Sequence, residues 1–321
     1  MTNKILITGG AGFIGSHLCD RFIQEGYDVV CLDNFSSGSR DNITNLVGNP
    51  HFTLLEHDVT TPLESKISLL ESLTAILHFA SPASPNPTAP DSYINHPVET
   101  MLANSVGAKN MLDLATTAGC PIIFASTSEV YGDPAVHPQP ETYWGNVSST
   151  GVRSCYDEGK RFMEALAFAY YRSRGTKIKI VRIFNTYGPR MRLDDGRFLI
   201  NLVDSVVHKK PFVLYGDGSA TRSFTYIDDL VEGIFRVFQN EKMVGEVVNL
   251  GNPGEFTISS AIELAEKISG EKLELVQKPV LPDDPTRRKP DIGKAKSLLG
   301  WEPKIDFEAG LSKTIEYYRG K

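Results

Sequence analysis

Cysteine is scarce: there are four among 321 residues, and Cys19, Cys31, Cys120 and Cys155 contain no C-x-x-C pair. This excludes a disulfide framework and a thiolate metal site, and fits free thiols in a reducing compartment. The seven histidines contain no H-x-x-x-H pair, so no metal is expected. An excess of positive charge is also missing. Thirty-three Lys and Arg stand against 39 Asp and Glu, a formal net charge of −6, which argues against a nucleic-acid partner. No apolar run reaches the roughly 18 residues that a membrane span needs. With strand-like sequence starting at Lys4, there is no room for a signal peptide. The expectation is a soluble, cytoplasmic protein with no membrane partner.

What is present begins with Lys4 to Leu18, KILITGGAGFIGSHL. A short β-branched apolar run is followed at once by Gly9, Gly12 and Gly15 in a G-x-x-G-x-x-G spacing. The implied order is strand, tight turn, helix, with backbone N–H groups and the positive helix end facing a pyrophosphate. Ser16 to Glu25 reads as the helix and Tyr27 to Leu32 as a second buried strand ending at Asp33. An acid about 20 residues past the glycines can accept hydrogen bonds from an adenosine ribose and would repel a 2′-phosphate, pointing to NAD rather than NADP. Arg40 is the counter-residue, since an arginine in that loop could hold the phosphate.

Further strands are expected at Phe52–Glu56, Ala75–Ala80, Pro121–Ser126 and Ile178–Phe184, with helices at Glu99–Ala118 and from Tyr156 through Tyr170. The fold class is therefore α/β: a Rossmann-type doubly wound parallel sheet over residues 1–184. A smaller mixed α/β domain is expected over 185–321, with some chain crossing back to the sheet. It would close with helices at Ile258–Ile268, Ile292–Leu299 and Ala309–Tyr318. Asp58, past the third strand, could reach an adenine amino group. The proline-rich stretch SPASPNPTAP, Ser81 to Pro90, must be a loop, either over the carboxyl ends of the strands or a plain surface linker.

Tyr156 and Lys160 are one helical turn apart and share a face. A lysine ammonium there can stabilise the phenolate that a tyrosine base requires, and the Thr127 hydroxyl could hold the substrate oxygen beside it. Together with a dinucleotide loop, these make a hydride-transfer site.

The set Gly9–Gly15, Asp33, Asp58, Thr127, Tyr156 and Lys160 resembles the extended short-chain dehydrogenase/reductase family across nearly the whole chain. Four longer segments closely resemble UDP-glucuronate decarboxylases. They are ASTSEVYGDPAVHPQPETYWGNV, GVRSCYDEGKR, RIFNTYGPRMRLDDGR and RRKPDIGKAKSLLGWEP. The resemblance implies NAD contacts from Phe13 and Ile14 in the glycine turn, and from Asn34, Phe35, Ser37 and Gly38 after the second strand. Val59, Phe79, Ala80, Ser81, Asn104, Thr186 and Arg197 complete that set. On the sugar side it implies Thr127, Glu129, Tyr156, Asn185 and Arg190, with Arg222 facing the sugar nucleotide and Arg288 its pyrophosphate. Relatives pair as homodimers through two helices per subunit, here Glu99–Ala118 and Tyr156–Tyr170.

The implied chemistry oxidises C4 of UDP-glucuronic acid, giving a β-keto acid that loses carbon dioxide, followed by C5 protonation and hydride return to UDP-xylose. Thr127, Glu129, Tyr156, Lys160 and Arg222 are the catalytic candidates, with Arg222 either proton donor or anion ligand. Ser128 stands where related 4,6-dehydratases carry an aspartate acid. Two departures fall near the sugar carboxylate: Leu102 where the decarboxylases carry a basic residue, and the long proline-rich loop. The rival readings are a UDP-glucuronate 4-epimerase and a non-catalytic nucleotide-sugar or redox-sensing binder.

Overall fold

The computed structural model describes residues 3–63, 70–279 and 288–321. The first apolar run forms β1 (Lys4–Thr8), whose residues after Lys4 are all buried, as a parallel strand covered on both faces requires. Helix α1 (Phe13–Gln24) starts three residues earlier than expected, so Gly15 lies inside its first turn. A Cβ on Gly15 would collide with the Gly9 carbonyl, which is why helix and strand can approach so closely there. β2 (Asp28–Asp33), β3 (Phe52–Glu56), β4 (Leu73–His78), β5 (Ile122–Thr127) and β6 (Ile178–Ile183) follow.

The helix expected over Glu99–Ala118 is interrupted. α2 (Pro97–Leu102) passes through a single π-helical turn, Ala103–Gly107, into α3 (Ala108–Ala118). α4 (Ser154–Arg174) carries the Tyr156–Lys160 pair. Later elements are β7 (Thr186–Tyr187), α5 (Phe198–His208), β8 (Phe212–Tyr215), β9 (Thr221–Ser223), β10 (Thr225–Tyr226) and α6 (Ile227–Gln239). β11 (Glu246–Leu250), β12 (Glu255–Thr257), α7 (Ile258–Ser269), β13 (Leu275–Lys278), α8 (Gly293–Leu299) and α9 (Phe307–Arg319) complete the chain. The RRKPD segment is described from Arg288; Arg287 lies outside the described residues.

The main sheet has seven strands in the order β11-β6-β5-β4-β1-β2-β3, all parallel. Chain progression reverses between β1 and β4, which opens a crevice at the carboxyl ends of the strands. One face is covered by α3 and α4, burying Leu6, Val30, Met111, Leu112, Phe124, Met163 and Ile180. On the other, Ile5, Ile7, Leu18 and Phe22 join a core that continues through Ile234 and Phe235 of α6 to α5, α7 and α9. β11 carries the chain back to the sheet edge beside β6, paired from Glu246↔Lys179 to Leu250↔Ile183.

Trp301 closes the C-terminal part onto α6. It is 2% exposed, its Nε1 donates to Asp229 O at 3.0 Å, and the buried Asp229 carboxylate accepts Lys304 N and Ile305 N at 3.0 and 2.9 Å. Trp301→Ala removes a large buried ring and an anchored hydrogen bond, so it should cost about 3–5 kcal/mol. Urea denaturation with an unchanged slope would record this as a lowered midpoint.

Candidate active site

A cavity of about 1080 Å³ runs along the carboxyl ends of the strands, from the glycine turn to the Tyr156 end of α4. Its first half follows from β1 and β2. Gly9, at φ +69°, turns the chain off β1 so tightly that a Cβ would sit 2.8 Å from Ala80 N. α1 follows Gly12, which brings no side-chain cap, and its first turn has no acid, leaving amide N–H groups for an anionic ligand. At the end of β2, Asp33 accepts Ala11 N at 2.9 Å and Phe35 N at 2.8 Å. Burial raises its pKa, and those two amides oppose the rise. Each carboxylate oxygen keeps a lone pair for a ribose hydroxyl. Arg40, the counter-residue, is taken up elsewhere: it pairs with Glu56 at 2.5 Å and lies over the Phe35 ring. These residues fit an adenine dinucleotide whose ribose carries no 2′-phosphate.

Phe13, Ile14, Asn34, Ser37, Asp58, Val59, Phe79, Ala80 and Ser81 lie on the cavity wall, as expected. Three further expected residues stand beside groups of the wall. Phe35, at φ +57°, and Gly38 stand behind Asp33 and support it, Gly38 packing on its carboxylate. Asn104 is fully buried in the π turn and donates to Ser81 Oγ and Thr100 O, both at 2.9 Å, so it acts on the wall through Ser81. The proline-rich loop is no surface linker: Pro82, Ser84, Asn86 and Thr88 line the cavity. Ser84 Oγ donates to Asp195 O at 2.5 Å, which ties the loop to the opposite rim.

The second half gathers the reactive groups. β5 ends at Thr127, and a 3-10 turn, Ser128–Tyr131, presents Glu129. Burial pushes the Tyr156 phenol up to about 12, with a Thr127 hydrogen bond pulling the other way. Lys160 is buried, donates to Ala125 O at 2.8 Å and sits 5.7 Å from the centre of the Tyr156 ring. Burial lowers its pKa to about 7. Glu129 is gripped by Arg153 at 2.5 Å and by Arg288. Burial works to raise its pKa, but the two guanidinium groups outweigh burial and hold it at about 2.

The four arginines expected at the ligand each have a protein partner in this structure. Arg288, expected on a pyrophosphate, meets Glu129, and Arg222 on β9 donates to Thr221 O. Arg190 is committed to Asp20 of α1 at 2.6 Å. Arg197, expected on the cofactor side, pairs with Asp195 at 2.5 Å. Asn185 and Thr186 lie on the wall, and Thr186 Oγ1 donates to Phe184 O at 2.9 Å.

Two residues were missed from sequence. Arg153 precedes Tyr156 by three positions, and that i, i+3 spacing was a readable signal. Tyr93 stacks on Tyr156 at 4.9 Å with 7° between the rings. It comes from the far end of the proline-rich loop, where no local pattern announces it.

A parallel sheet with a glycine turn, a strand-end acid, and a Thr–Tyr–Lys set beside a buried Glu–Arg pair defines a dehydrogenase scaffold adapted to a nucleotide-linked substrate. The chain belongs to the extended short-chain dehydrogenase/reductases, in the family described as GDP-mannose 4,6 dehydratase, whose model matches residues 6–314. It is 49% identical over 318 residues to UDP-glucuronic acid decarboxylase 1 of Arabidopsis thaliana, covering 99% of this chain and 70% of that protein. Among solved structures, UDP-glucose 4-epimerase of Thermotoga maritima with UDP-glucose superposes with TM-score 0.89 at 30% identity, covering 99% of both chains. The UDP-glucuronic acid 4-epimerase of Bacillus cereus, in complex with UDP-glucuronic acid and NAD, gives TM-score 0.87 at 30% identity and 99% coverage of both.

Lys160→Met tests the electrostatics of the pair. Lys160 carries its charge below about pH 7, and a cation beside a phenol favours the ionised form there, so Lys160→Met should move the ascending limb of the pH–rate profile upward. An unshifted limb in the folded variant would remove Lys160 from that role.

Proposed function

We propose that this chain converts UDP-glucuronate to UDP-xylose and carbon dioxide, with NAD as its resident cofactor. The observation that carries the reading is Glu129, held ionised between Arg153 and Arg288 beside Thr127 and Tyr156. The relatedness to UDP-glucuronic acid decarboxylase 1 supports the same reaction. NAD, when bound along Gly9–Gly15 and Asp33, supplies an acceptor for the C4 hydride and returns it after carbon dioxide has left.

Tyr156 takes the C4 hydroxyl proton, Thr127 holds that oxygen, and Lys160 favours the phenolate. With C4 a ketone, the C5–C6 bond breaks and its electron pair flows toward the C4 oxygen, where the Thr127 and Tyr156 hydroxyls stabilise the developing charge. Carbon dioxide leaves from C6, and C5 gains one proton from solvent at the Glu129–Arg288 end. Leu102 brings no charge to the wall, but Arg153 and Arg288 supply positive charge to meet the sugar carboxylate. Arg222, on the wall contributed by β9, is assigned to the nucleotide portion.

Assembly and location belong to the same proposal. Val98, Met101, Leu102 and Val106 on the α2–α3 side, with Val152 and Phe162 at α4, are exposed apolar side chains. They suit a homodimer built as a four-helix bundle, two helices from each subunit. All four cysteines are free and buried, which fits a cytoplasmic setting. No described helix is long and apolar enough to cross a membrane. Residues 1–184 hold NAD and the Tyr–Lys helix, and 185–321, apart from the return of β11, mainly hold the UDP-sugar.

Incubation of the purified protein with UDP-glucuronate, with and without added NAD, should yield carbon dioxide and UDP-xylose by NMR. Tyr156→Phe should lower turnover by roughly 10²–10⁴-fold while still binding the sugar nucleotide. UDP-galacturonate formed without carbon dioxide would establish epimerisation instead.

A further inference from the structure

Two segments far apart in the chain lie side by side next to Glu129. Gln139 N donates to Lys289 O at 2.9 Å, and Asp291 N donates back to Gln139 O at 3.0 Å, a parallel bridge outside the main sheet. The Gln139 side chain is fully buried; its Oε1 accepts Lys289 N at 2.9 Å and its Nε2 donates to Val136 O at 2.7 Å. Asn249 of β11, also fully buried, donates from Nδ2 to Gln139 O at 3.0 Å and to Asp291 O at 3.1 Å. Ser223 Oγ donates to Arg288 O at 3.3 Å.

These bonds converge on the backbone of residues 288–291, whose first side chain is the arginine that meets Glu129. A buried carboxamide costs free energy unless its groups are paired, and an apolar residue of similar size would fill the same space without that cost. What Gln139 adds is register. Its single side-chain acceptor fixes Lys289 N, and so fixes where the arginine one residue earlier can reach.

We propose that Gln139 is a positioning residue for the reaction: by holding the Lys289 backbone it sets Arg288 against Glu129, where carbon dioxide leaves and C5 is protonated. The inference rests on the decarboxylase reading and adds a residue to it. Oxidation at C4 depends on Thr127, Tyr156 and Lys160, which Gln139 does not touch. The two stages should therefore come apart when Gln139 is changed.

Gln139→Met keeps the volume and removes the acceptor. After rapid mixing of NAD-loaded protein with UDP-glucuronate, the initial rise in reduced-nicotinamide absorbance should stay within about twofold of the unmodified protein, while carbon dioxide release slows by about 10- to 100-fold. Arg288→Lys provides the reference for this split. Ser223→Ala, a smaller deletion on the Arg288 carbonyl, should give a weaker split of the same sign and decides the matter if Gln139→Met does not fold. Equal slowing of both signals, or no slowing of carbon dioxide release, overturns the role of Gln139. Absence of carbon dioxide from the unmodified protein overturns the decarboxylase reading and this inference with it.

Discussion

A carboxylate taken out of water must be paired, and at Glu129 the pairing reaches across the whole chain. Burial alone would neutralise it; Arg153 and Arg288 keep it charged. One arginine comes from the start of α4, a turn before Tyr156, and the other from a segment more than a hundred residues later. The Glu129–Arg288 pair therefore forms only when the C-terminal part is docked on the sheet. Trp301 on Asp229 and the hydrogen bonds between Gln139 and Lys289 hold that docking in place.

The remainder of the site is arranged around the same point. β5 delivers Thr127 and Glu129 together, and α4 delivers Tyr156 and Lys160 on one face. Tyr131, next along the turn, hydrogen-bonds Asn249 at 2.8 Å and accepts from Arg182 at 3.0 Å. Arg182 in turn forms an ion pair with Glu164 of α4 at 2.7 Å. This buried polar network joins β5, β6, β11 and α4 with its groups mutually satisfied, which favours a single arrangement over several. The cofactor half depends on simpler means: a glycine turn, an uncapped helix start and one acid.

The parts that could be read from sequence were those with local signatures. The glycine spacing, the apolar strands, Asp33 and the Tyr156–Lys160 pair each announce themselves within a few residues, and the structure brings them to one edge. Helix lengths were less legible. α1 starts inside the glycine motif, and the π turn at Ala103–Gly107 answers to the packing of Asn104 rather than to composition. α5 and α6 have apolar faces but follow Arg197 and Tyr226, which bring no side-chain cap, so neither opens on a local capping signal. The place of Arg288 was not legible either. Its neighbour in space, Glu129, is set by the return of the chain through β11 and by Gln139, contacts that no local pattern encodes. Tyr93 was hidden for the same reason, since its stack on Tyr156 depends on how the proline-rich loop folds over the cavity.

The most direct measurement is to run the reaction on UDP-glucuronate in deuterium oxide and locate the label in the product by NMR. A site that keeps its hydride internal while Glu129 and Arg288 oversee replacement of carbon dioxide by a solvent proton predicts UDP-xylose with one deuterium at C5 and none at C4. Deuterium at C4, or a six-carbon product that keeps its carboxylate, would contradict it.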